Sequence, residues 1–189
     1  MTDFTLSSGS ILRPYRSPWG AFPTKGYPLS SGISSNAIVL GRIVGLDVNT
    51  DTNAGQILPS SQTAGVVMST AIVGVAAESP SLGGSSTNTR GTVISVWDAN
   101  PMVEFRAHTQ GATLASSQVG KTKAIVWDST LGIHKVDLSN STLINVRCVV
   151  TGLIDAEGDS GGAVSFRFIT ETPPAGDSTV SRSVLGVYR

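Results

Sequence analysis

Nowhere in these 189 residues does a run of twelve carry good helical periodicity. Apolar residues come instead in short, β-branched runs separated by Gly, Ser, Thr and Asn, a pattern that leads to strands joined by turns. Residues 37–48, 64–68, 71–76, 92–97, 102–107, 123–127, 146–154 and 163–169 are such runs. Met102 to Ala107 and the stretch around Phe166 and Phe168 alternate with period two, as a half-buried strand does. Asp128 to Gly132 sits between 123–127 and 133–137 and reads as a hairpin turn, since Asp bonds its own backbone and Gly accepts positive φ. The best helical candidate is Gly111 to Gln118, read as either one turn of helix or a loop. The predicted fold class is all-β, a small β-barrel or β-sandwich.

An unusual segment precedes these strands. Residues 1–28 hold Pro14, Pro18, Pro23 and Pro28, which block helix and central strand alike. Five of the chain's eleven aromatics also lie here, namely Phe4, Tyr15, Trp19, Phe22 and Tyr27. Disordered tails are poor in aromatics, so the segment reads as an extended arm that lies on a surface. That surface is either its own domain or another chain, and the second is favoured. Arg13, Tyr15, Arg16, Trp19 and Phe22 are the candidate partner-binding residues, because aromatics and Arg dominate interface energetics. The expected organisation is an arm over 1–28, a β domain over 29–170 and a tail or short strand over 171–189. Removal of 1–28 is expected to leave the β domain folded.

Charge narrows the function classes. Thirteen basic residues balance thirteen acidic ones, and charged residues make up only 14% of the chain. Zero net charge gives no general drive toward nucleic acid or a membrane surface and favours association between proteins. Cys148 is the only cysteine, which excludes an intrachain disulfide, and its apolar setting predicts a buried structural thiol. No signal peptide or membrane span is expected.

Gly158-Asp159-Ser160-Gly161-Gly162 matches the nucleophile loop of chymotrypsin-like serine proteases. Those enzymes place their histidine early and spread the machinery over two barrels. The only histidines here are His108 and His134, with none in the first 107 residues. His134 is expected to point outward from its hairpin. A turn would itself select Asp, Ser and Gly, so a turn is the preferred reading and no catalytic residue is assigned. Asp155, Glu157 and Asp159 alternate as calcium ligands sometimes do, but the full spacing of a calcium loop is absent. No metal and no cofactor is expected. Val-Trp-Asp occurs at 96–98 and again at 126–128, too little to define a propeller repeat.

Three stretches carry a family resemblance. They are Gly74-Val75-Ala76-Ala77-Glu78, Lys121 to Asp128 with its hairpin, and Val150 to Asp155 ahead of Gly162 to Phe168. Together with an arm before a small β domain, they resemble the capsid decoration (cement) proteins of tailed bacteriophages over roughly residues 30–170. The resemblance implies a virion structural protein on the capsid surface, assembled in the host cytoplasm. It also implies a homotrimer, and an arm that clamps the major capsid protein. It supplies no catalytic residues. A phage tail or fibre module shares this composition, although long fibres show sequence repeats and none is evident here. The protease remains the third reading.

Overall fold

The computed structural model describes residues 11–30, 33, 37–46, 55–59, 72–79, 92–139 and 146–169. Within them the chain is strand after strand: β1 (Arg13–Arg16), β2 (Thr24–Pro28), β3 (Ile43–Leu46), β4 (Ile57–Pro59), β5 (Ile72–Ala76), β6 (Val93–Asp98), β7 (Glu104–Gln110), β8 (Thr122–Asp128), β9 (Ile133–Asp137), β10 (Val146–Leu153) and β11 (Ala163–Phe168). One short 3-10 turn, Ser116–Gln118, falls inside the stretch marked as the helical candidate.

The strands make two closed barrels in tandem. The first has the order β2-β6-β5-β3-β4, and a parallel bridge between Leu29 and Ile57 returns it to its start. The second runs β7-β11-β10-β8-β9, and parallel pairing of β9 with β7 closes it. The two orders are the same order. The registers also correspond, pair for pair. Gly26 opposite Ser95 matches Arg106 opposite Ser165. Val75 opposite Trp97 matches Val149 opposite Arg167. Val44 opposite Gly74 matches Lys123 opposite Cys148. Leu46 opposite Ile57 matches Ile125 opposite Val136. The closing bridge of Leu29 to Ile57 matches that of Thr109 to Val136.

The turns repeat as well. Gly41 N–H donates to the Ala76 carbonyl at 2.9 Å, and Gly120 N–H to the Val150 carbonyl at 2.8 Å. Leu29 N–H donates to the Thr92 carbonyl at 2.8 Å, and Thr109 N–H to the Gly162 carbonyl at 2.9 Å. Gly41 and Gly120 have φ of 82° and 80°, a region open to Gly and closed to most other residues. The chain is therefore a structural duplication. The two Val-Trp-Asp triplets fall on β6 and β8, which do not correspond, so that short echo has no part in it.

Packing explains the continuous apolar runs of β3 and β5, which are buried on both faces. Val44, Val73 and Ala76 line the first barrel with Leu29, Ile38, Ile57, Ile94 and Val96. Ile43, Ile72 and Val75 turn the other way and join the core of the second barrel, which holds Phe105, Phe166, Phe168, Val136 and Val150. Arg42, 1% exposed, adds a second tie, its guanidinium carbon 3.6 Å from the centre of the Trp127 ring on β8.

Two expectations need correction here. From Arg13 onward the presumed arm is part of the fold. β1 pairs antiparallel with β7, and β2 is the first strand of the first barrel. Its prolines fit because Pro14 lies on an edge strand and Pro28 ends one. A boundary at residue 28 would cut the first barrel open. Residues 1–10 and 170–189, the rest of the arm and the tail, lie outside the described residues. His134 is buried at 3% exposure rather than outward. It packs edge-on against Trp127, ring centres 4.8 Å apart, where the first barrel covers the hairpin through Arg42.

Candidate interaction surface

Strand alternation builds the site. In β7, Phe105, Ala107 and Thr109 are buried, so Glu104, Arg106 and His108 face outward. Cross-strand partners share a face, so Arg13 of β1 stands beside Arg106, and Arg16 beside Glu104. On the other flank Arg167 of β11 bonds Glu104, Nη2 to Oε1, at 3.0 Å. Three adjacent strands thus present four guanidinium groups and one carboxylate. Among the described residues no carboxylate pairs with Arg13 or Arg106.

Beside this face, Arg16, Ser17, Pro18, Met102, Glu104 and Arg167 line a shallow groove of about 270 Å³. The link from β1 to β2 passes along it and projects Trp19, 58% exposed, and Phe22, 39% exposed; Met102 is 52% exposed. Tyr15 is half-buried, with the Arg16 guanidinium 4.9 Å from its ring centre. The β1–β7 pairing sets the backbone positions of Arg13 and Arg16, and Trp19 and Phe22 lie on the link that follows, a strap between β1 and β2. Arg106, Arg167 and Met102 were missed in the sequence. The register of β1 on β7 brings in Arg106, the bond to Glu104 brings in Arg167, and the groove brings in Met102; nothing local encodes these long-range placements.

The protease-like turn has a structural role. Gly158 N–H, which an oxyanion hole would need free, donates to the Leu114 carbonyl at 2.8 Å. His108 is brought close, its Nδ1 2.9 Å from the Gly161 carbonyl oxygen. A carbonyl can only accept, so Nδ1 carries the proton, and a neutral carbonyl orients the ring where a triad uses a carboxylate. Both histidines of the chain lie in the second barrel together with Ser160. The nearby acids cap the turn: Asp155 Oδ2 accepts from Ala163 N–H at 2.7 Å, and Glu157 Oε1 from Ser116 N–H at 2.8 Å. No group of three potential metal ligands gathers among the described residues. Cys148 is fully buried, and burial pushes its thiol well above the usual range, so it stays protonated.

Comparison with protein-family models, curated proteins and solved structures returned no match.

Proposed function

We propose that this chain is a virion structural protein, a capsid decoration protein that binds the outer surface of the major capsid protein shell and stabilises the head, acting as a homotrimer and without catalysis. The observation that carries this reading is the strap. It leaves Trp19 and Phe22 exposed outside both cores, on the same link whose Ser17 and Pro18 line a groove with Met102, Arg16 and Arg167, and aromatics, Met and Arg are enriched where proteins bind proteins. The Gly158 N–H of the Ser160 turn is engaged by the Leu114 carbonyl, which favours a structural turn over hydrolysis.

Trp19→Ala is the test. Binding to undecorated heads should weaken by about 2 kcal/mol or more, the scale of an interface hot spot. The melting temperature of the free protein should not move, since Trp19 is 58% exposed. A fall in melting temperature with unchanged head binding would refute the proposal. Ser160→Ala serves as the control and should leave binding unchanged. A point substitution is needed because truncation at residue 28 would also remove β2.

A further inference from the structure

We propose that the arginine face of β1, β7 and β11 receives a carboxylate-rich surface of the partner protein; this rests on the decoration reading and adds the chemistry of the partner.

The duplication provides an internal control. The backbone position of Arg106 is held by Gly26 in the first barrel, that of Arg167 by Trp97, and that of Glu104 by Thr24. The same framework closes with no charge at any of these three positions, so the fold does not require the arginines. Their placement works against the free chain. Arg13 lies directly opposite Arg106, and like charges directly opposite are destabilising. A chain of zero net charge has gathered four arginines around one glutamate on a single face. An acidic protein surface relieves this repulsion and bonds guanidinium groups in pairs.

A nucleic acid fits less well. Pro18 and Met102 share the groove with Arg16, Glu104 and Arg167, and the exposed Trp19 follows Pro18 in the chain, which suits a protein contact with an apolar part and a polar rim.

The test compares wild type with the double variant Arg13→Glu, Arg106→Glu, and with the milder Arg13→Gln, Arg106→Gln in case charge reversal impairs folding. Binding to undecorated heads and to a fluorescent glutamate decapeptide is measured across salt from about 50 to 500 mM, a range over which screening grows several-fold stronger. Wild-type binding should fall with salt. The variants should bind at least roughly tenfold more weakly at low salt and lose most of the salt dependence. If wild type binds heads but the variants bind equally well, the carboxylate assignment fails and the decoration reading stands. If wild type binds the decapeptide as predicted but not the heads, the assignment survives and the decoration reading fails. Tighter binding of a single-stranded oligonucleotide than of the decapeptide overturns the assignment in favour of nucleic acid. A change in the sedimentation of the free protein on substitution overturns it in favour of a second copy.

Discussion

Replacing Phe166 by alanine should lower the unfolding free energy by about 3–5 kcal/mol, the cost of deleting a buried aromatic and leaving a cavity. Phe166 is fully buried on β11, with ring centres 6.1 Å from Phe105 and 5.4 Å from Phe168, and Phe105 and Phe168 meet at 5.0 Å. Truncating one ring removes contacts from both others. The same apolar cluster includes Ile43, Ile72 and Val75 of the first barrel, so the loss should appear in one transition involving both barrels. Urea unfolding followed by fluorescence and by circular dichroism checks this. A change under about 1 kcal/mol, well below the range for such truncations, would contradict the packing of Phe166, and two separate transitions would show that the barrels do not share a core.

Acid should destabilise the protein through His134. Burial, reinforced by the Arg42 charge, holds this imidazole down at about 3, from an ordinary 6.5. The folded state therefore keeps His134 neutral, while the unfolded chain takes up a proton below pH 6.5. Stability from this group is complete above 6.5 and declines as pH falls toward 3, by about 1.4 kcal/mol per pH unit. Between pH 7 and 4.5 the loss from this group should be about 2–3 kcal/mol. His134→Gln should flatten this part of the curve, whatever it does to stability at pH 7. An NMR titration in which the folded His134 ring protonates near pH 6.5 would contradict the placement.

The all-β class was legible because strand periodicity is local. Phe105 and Ala107 announce a buried face, and Asp128 with Gly132 announces the hairpin, where Asp128 Oδ1 accepts from Thr130 N–H at 3.0 Å and Gly132 takes φ of 65°. The duplication was not legible. Equivalent positions keep their place in the barrel but not their residue: Leu29 and Thr109, Val44 and Lys123, Gly74 and Cys148, Trp97 and Arg167. Lys123 even enters the second core, its ammonium bonded to the Leu138 carbonyl. Barrel closure depends on hydrogen-bond register, which such exchanges leave intact. His134 was misplaced for a related reason. Its hairpin reads as solvent-facing from its own residues, but Arg42 comes from another barrel to cover it. The prolines of the strap pointed toward an arm because they forbid a central strand, whereas an edge strand accepts them. Trp19, Phe22, Arg13 and Arg16 were visible as candidates in the sequence, and it took the β1–β7 register to set Arg13 beside Arg106, and the Arg167–Glu104 bond to bring Arg167 to the same face.

The proposed addition of this protein to a shell is tested most directly by a map of heads incubated with it. Undecorated heads should gain density on their outer surface, clustered about threefold positions, with the β1–β2 strap against the shell and binding saturating as protein is added. Heads that gain no outer density, with the protein left entirely in the supernatant, would contradict the account.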